Sequence, residues 1–153
     1  LHERVYDQIE DLTADELNLP APGTPMTIGW LAAHLIVGEA SWIARFTGES
    51  APEWLQADAS YRALTPYGSE PGRFAGPAEL IALGRRVFSE CTTPALRGIA
   101  TPDAPAVTDT RLRTADQILR HLIWRWSFHS GHIGLTRLQL GGEYEWVFAD
   151  EPG

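Results

Sequence analysis

The feature that most constrains this chain is a long amphipathic segment at residues 114–140. Thr114-Ala115-Asp116-Gln117 opens it with the form of a capping box. Apolar residues then recur at helical spacing through Leu140, and Gly141-Gly142 follows. A helix of about 27 residues measures about 40 Å at a rise of 1.5 Å per residue. Helices of this length without strand-like alternation between them favour a helical bundle.

Three further segments carry the same periodicity. They are Leu1 to Leu12, Thr27 to about Thr47 with Gly48 as its stop, and Gly76-Pro77 to an end or kink near Pro94. Thr13 to Leu17 reads as a short turn, the stretch from Pro20 to Pro25 reads as a loop, and Val107 gives a weak strand signal. We therefore predict an all-α protein, a four-helix bundle in one domain over residues 1–153.

Residues 49–75 form the longest irregular stretch, which is rich in proline and glycine. A loop this long inside a compact domain is often functional, for example as a lid. Its aromatic residues would either cover a pocket or, as is more common, pin the loop to the core: Trp54, Tyr61, Tyr67 and Phe74. The single cysteine, Cys91, lies within an apolar helical pattern and reads as a small buried hydrophobe.

Charge and composition narrow the partners. The net charge of −8 argues against nucleic acid and anionic membrane surfaces as partners. The sequence has no apolar run long enough to cross a bilayer and no signal segment, and one cysteine suits a reducing compartment, so we expect a cytoplasmic protein. All twelve basic residues are arginine, which suggests a GC-rich genome.

Histidines mark the candidate site. At about 100° per residue, His121, Arg125, His129 and His132 share one arc of the last helix, beside its apolar stripe. His34 lies on the shoulder of the second predicted helix. Burying such groups without partners costs about 1–3 kcal/mol each. We therefore predict a histidine-lined pocket between these helices, with a purely structural polar network as the alternative.

These two helices resemble a known family. The segment from His121 to Ile133, with Arg137 and Gly141-Gly142 after it, resembles the last helix of DinB/YfiT-like proteins, most closely their actinobacterial branch. The segment from Ile28 to Leu35, with Glu39 and Trp42, resembles their second helix. Helix order fits over nearly the whole chain, whereas the motifs cover about a third of it. The resemblance implies the DinB/YfiT-like type of four-helix bundle.

The resemblance also implies a divalent metal such as zinc or nickel. Family members typically hold the ion with a histidine of the second helix and two residues four apart on the last helix, which correspond here to His34, Arg125 and His129. A guanidinium has no lone pair to give, so Arg125 cannot be a ligand. His132, three residues from His129, is the predicted replacement.

The sequence leaves three arrangements of the site open. In the first, His132 or His121 restores the metal site. In the second, the metal is lost and Arg125 binds an anionic group such as a carboxylate. In the third, Arg125 pairs with an acid such as Glu39 in a structural network.

The function implied by the resemblance is transfer of a low-molecular-weight thiol, with mycothiol favoured by the GC-rich composition. The predicted catalytic residues are His129 and Arg125. Without a metal, His129 or His34 would act as the general base and Arg125 would orient an anionic substrate. The predicted pocket residues are His121, Glu39, Trp30 and Trp126. Two other classes compete: a binding protein without turnover and a vestigial site. By analogy with the family we expect a homodimer, with Trp124 as an interface candidate.

Overall fold

A computed structural model describes residues 1–64, 73–107 and 113–142. These segments form helices and no strand. The α-helices are α1 (His2–Asp7), α2 (Ala14–Leu17), α3 (Ile28–Thr47), α4 (Glu53–Gln56), α5 (Pro77–Val87), α6 (Thr93–Arg97) and α7 (Ala115–Gln139). A 3₁₀ helix covers Ala59–Leu64, and a π-helical turn covers Phe88–Thr92. The all-α prediction is confirmed, and the single-domain prediction stays a prediction.

Two long helices follow the predicted boundaries because their caps are strong. The Thr27 side chain accepts a hydrogen bond from the Trp30 amide at the start of α3, and Gly48 ends that helix with a left-handed φ of 77°. The Thr114 side chain accepts from the Gln117 amide at the start of α7. Local chemistry alone therefore sets these three boundaries.

The first helix is shorter than predicted. It ends at Asp7 rather than Leu12, and a series of turns follows. Arg137 of α7 donates to the Gln8 carbonyl at 2.6 Å, while the Leu12 amide bonds to the Ile9 carbonyl. A contact from a distant helix thus takes the carbonyl that would have continued α1. The predicted turn at 13–17 is instead the short helix α2, with a complete Thr13/Glu16 capping box.

The third helix is predicted to end or kink near Pro94, and the helical run does end three residues after that proline. Helical structure passes from α5 through the π turn into α6 and ends at Arg97. In the π turn, the Thr93 amide bonds to the Phe88 carbonyl five residues earlier. Pro94 then lies in the first turn of α6, where its missing N–H costs little.

The loop predicted at 49–75 is partly helical, since it contains α4 and the 3₁₀ helix. Phe74 is buried and exchanges two backbone hydrogen bonds with the Asn18 side chain, at 2.7 and 2.8 Å. Trp54 lies under the Arg86 guanidinium at 3.9 Å. These two aromatic side chains pin the segment to the core. Tyr67 lies outside the described residues.

Helix α3 is buried on nearly every side. It contacts α5 and α7, and α1 in turn contacts α5 and α7, so the four helices make a closed ring of contacts. Arg137 ties the turns that follow α1 to α7 through paired hydrogen bonds to Asp11, at 2.7 and 2.9 Å. Within the described segments, no helix is both long enough and apolar enough to cross a membrane.

Candidate functional site

Helices α3 and α7 face each other along two rows of residues spaced by four. The α3 row is Trp30, His34, Gly38 and Trp42, and the α7 row is His121, Arg125 and His129. Residues four apart lie on one face of a helix, so each row is continuous. We call these seven residues the α3–α7 seam. The helices run antiparallel there, because His34 lies by His129, Gly38 by Arg125, and Trp42 by His121.

The centre of the seam is a contact between Arg125 and His34. A terminal nitrogen of the Arg125 guanidinium lies 2.8 Å from His34 Nε2. Guanidinium nitrogens only donate, so Nε2 accepts and the ring proton of His34 resides on Nδ1. Trp30 stacks on the other side of the imidazole, with ring centroids 4.8 Å apart and planes 12° apart. The contact therefore fixes both the tautomer and the plane of His34.

Gly38 makes room for this arrangement. A Cβ added there would lie 2.5 Å from both terminal nitrogens of Arg125 and 2.8 Å from Cζ. Arg125 is 8% exposed and is therefore seated directly against the α3 backbone. The sequence analysis missed Gly38. The available signal was a glycine inside a helix, four residues after a candidate site histidine, where glycine costs about 1 kcal/mol relative to alanine.

His129 is a neutral imidazole inside the seam. It is 5% exposed, and its ring centroid lies 5.4 Å from that of His34. Burial, followed by the neighbouring His34, Arg125 and His132, lowers its pKa to about 4. Its Nδ1 is buried and has no hydrogen-bond partner among the described residues. The seam thus presents an unmet hydrogen-bonding group beside a buried cation.

His132 and His121 extend the site at its two ends. The His132 ring is stacked with that of His129 at 6.2 Å, and its Nδ1 is likewise buried without a partner in the described part of the chain. His121 is half-buried against Trp42, with ring centroids 4.5 Å apart. Burial lowers the pKa of His121, and the charge of Arg125 adds to that effect. Every histidine placed on the arc therefore lies at or beside the seam.

Glu39 and Trp126, predicted as pocket residues, lie together in a separate polar cluster. The buried Glu39 carboxylate accepts from Trp126 Nε1 at 2.6 Å and from the Thr92 hydroxyl at 2.5 Å. His2 Nε2 lies 2.7 Å from the same carboxylate, and its ring packs edge-on against Trp126. Both carboxylate oxygens are thus used by groups other than Arg125. His2 was missed because nothing local marks it as a partner of Glu39, 37 residues away.

The arrangement does not fit the predicted metal ligands His34, His129 and His132. The Nε2 lone pair that His34 would give to an ion accepts the hydrogen bond from Arg125. Across residues 1–64, 73–107 and 113–142, no three His, Cys, Asp or Glu side chains are placed to hold one ion together. Metal binding, zinc or nickel, stays a prediction, and a bound ion would require Arg125 to move.

Comparison with known proteins supports the reading of the two helices. The sequence model of the DinB superfamily matches residues 2–133, which include both rows of the seam. No curated protein matches the chain, and no solved structure matches it. Because the match spans most of the 153 residues, the chain belongs to the DinB superfamily.

Proposed function

We propose that the α3–α7 seam binds a small anionic molecule, such as a carboxylate, without a metal ion. The observation that carries the proposal is the position of Arg125: a buried guanidinium, held by His34, beside a neutral His129. Arginine matches carboxylate geometry with paired donors, and partial burial strengthens the attraction. The scaffold we infer is the DinB/YfiT-like four-helix bundle, with α1, α3, α5 and α7 as its helices.

The neutral state of His129 defines its part. A ring with a pKa of about 4 is a weak base at neutral pH, which favours binding over proton abstraction. An anion bound beside Arg125 would bring a negative charge next to His129 and would raise the pKa of His129. Ligand binding and proton uptake by His129 are then linked, so anion affinity should rise as pH falls.

A titration with sodium benzoate tests the proposal. We expect saturable shifts of the His129 and His34 ring resonances in NMR spectra, with tighter binding at lower pH. Arg125→Gln removes the charge at similar length, and we expect about 10- to 100-fold weaker binding from the loss of a charge-assisted hydrogen bond. Arg120→Gln is the matched control, because Arg120 is an exposed arginine of the same helix. Equal benzoate affinity in Arg125→Gln and the native chain would refute the proposal.

The alternative is a metal-dependent thiol transferase acting with mycothiol or a similar thiol. Membership of the DinB superfamily and the closeness of the His34 and His129 rings support it. It requires the Arg125 guanidinium to leave His34 Nε2. A bound ion would lower the pKa of a thiol and make it nucleophilic near neutral pH. A cytoplasmic homodimer remains the accompanying proposal.

Metal analysis separates the two proposals. The protein should be purified without a histidine tag or chelator, together with His129→Ala. About one ion per chain that is lost in His129→Ala would favour the transferase. No ion after incubation with excess zinc or nickel would favour the metal-free site. Turnover of a thiol with an electrophile would then distinguish an enzyme from a binding protein.

A further inference from the structure

A cavity lies on the side of α3 that faces away from the seam. At about 100° per residue, Ile43 and Thr47 lie across the helix axis from Gly38. The cavity has a volume of about 500 Å³. Its walls are the C-terminal half of α3, residues 49–52, the helical run around Cys91 and Pro94, and the link at Pro105 and Val107. This volume lies within the range of about 300–1,000 Å³ that small-molecule sites occupy.

The floor of the cavity is apolar. Ala40, Ile43 and Ala51 line it and are at most 8% exposed, so they form its floor. Phe46 of α3 and Ala95 of α6 also line it and are half-buried. A ligand with an apolar body would remove this surface from water, which stabilises a complex by about 25 cal/mol per Å² covered.

The charged residues that line the cavity indicate the chemistry of the ligand's polar end. Of the described residues that line the cavity, the charged ones are Glu49 and Glu90, both exposed, and none is basic. Arg86 bonds to Glu90 at 3.0 Å, but that pair is half-exposed and therefore weak. The chain as a whole carries a charge of −8, which attracts cations to such a site.

We propose that this cavity is a second binding site, which takes a small apolar molecule carrying a protonated amine. The apolar body would lie against Ile43 and Phe46, and the ammonium group would lie between Glu49 and Glu90. The site is independent of the seam, since it uses the opposite side of α3 and a ligand of the opposite charge.

Cys91 provides a built-in reporter. It lines the cavity from the π turn Phe88–Thr92, a type of helical irregularity that is frequent at functional sites. Its thiol is half-buried, and burial raises its pKa, with the charges of Glu90 and Glu39 acting in the same direction. As the chain has one cysteine, the rate of its reaction with a disulfide reagent that releases a coloured thiol measures access to this cavity alone, at a mildly alkaline pH that leaves a primary amine protonated.

The probe is benzylamine, with benzyl alcohol and benzoate as matched controls of the same ring. We expect benzylamine to slow the reaction of Cys91 saturably, benzyl alcohol to protect more weakly, and benzoate not to protect. Glu49→Gln combined with Glu90→Gln should weaken benzylamine about three- to ten-fold, since exposed charges contribute modestly. Ala95→Leu should abolish protection by filling the cavity, with the melting temperature measured to show that the variant folds.

Three results would overturn the proposal. One is the absence of saturable protection up to about 10 mM benzylamine, which is too weak for a specific site. Another is equal protection by benzoate. The third is unchanged protection by benzylamine in Ala95→Leu. His129→Ala must leave Cys91 protection unchanged, whereas it should alter the response to benzoate at the seam, so the two sites fail separately.

Discussion

Gly38→Ala tests whether the Arg125–His34 contact holds the seam together. The added Cβ would lie 2.5 Å from both terminal nitrogens of Arg125, whereas ordinary contacts begin at 3.4 Å. The guanidinium must therefore retreat by about 1 Å, since α3 is buried on both flanks and packed helices resist backbone shifts. A shift of that size breaks the 2.8 Å hydrogen bond to His34 Nε2.

The expected change in the free energy of unfolding of Gly38→Ala is the difference between the cost of the lost hydrogen bond and the gain in helix propensity. Loss of a hydrogen bond to a charged group costs about 1.5–3 kcal/mol. Replacing glycine by alanine inside a helix returns about 0.8–1 kcal/mol. Gly38→Ala should therefore lower the free energy of unfolding by about 0.5–2 kcal/mol. For a chain of this size, that corresponds to a fall in melting temperature of a few degrees.

Gly131→Ala in α7 is the matched control. An added Cβ there meets no atom within 4 Å, so the helix should gain about 0.8–1 kcal/mol. Urea denaturation of both variants measures the difference, and ¹⁵N spectra of the imidazoles report the tautomer of His34. If Gly38→Ala gains as much stability as Gly131→Ala while His34 keeps its proton on Nδ1, then Arg125 is not seated as described and the reasoning is refuted.

Three further predictions concern buried polar groups. The pKa of His129 is about 4 in the folded chain and 6.5 in the unfolded chain, so the unfolded chain takes up the proton first as pH falls. The free energy of unfolding should therefore drop by about 3 kcal/mol as pH falls from 6.5 to about 4. A His129→Gln variant that keeps this drop in urea denaturation would contradict the prediction. Tyr6→Phe removes a buried hydroxyl that lacks a partner among the described residues, so stability should be unchanged or about 1 kcal/mol higher. Gly84→Ala would push a methyl group into that hydroxyl and cost about 1–3 kcal/mol, and thermal melts of the double variant should show recovery. Arg137→Lys loses the paired hydrogen bonds to Asp11 and should cost about 1–3 kcal/mol in urea denaturation, against less than about 0.5 kcal/mol for Arg120→Lys at an exposed pair.

Local signals predicted α3 and α7 well because their caps are encoded within a few residues. Thr27 and Gly48 bound α3, and Thr114 begins α7, by hydrogen bonds or backbone conformations that depend on immediate neighbours. The end of α1 could not be predicted in this way. It depends on Arg137, 129 residues after Gln8 in the sequence, and no local pattern contains that contact.

The passage of the chain through Pro94 had a different cause. Proline excludes itself from a regular helix interior, and the periodicity before it gave no sign of a change in hydrogen-bond spacing. A π turn from Phe88 to Thr92 shifts that spacing and places the proline in a new first turn. The same turn directs the Thr92 hydroxyl to Glu39, so one irregularity serves both the backbone and a buried carboxylate.

The sequence predicted which helix faces carry the candidate site but not which contacts their side chains make. Helical spacing alone brought His121, Arg125 and His129 onto one arc, and His34 lies across from them. The sequence also shows that the side chain at position 125 cannot be a metal ligand, because arginine has no lone pair to give.

What Arg125 does instead is decided by Gly38 on the facing helix. We expect a larger residue at 38 to push the guanidinium away from the α3 backbone and from His34 Nε2. The two positions therefore act as one unit, although 87 residues separate them. The pattern to look for in related chains is a site histidine followed four residues later by a glycine that faces an arginine on a second helix. This pattern would identify the same replacement of a metal ligand by arginine.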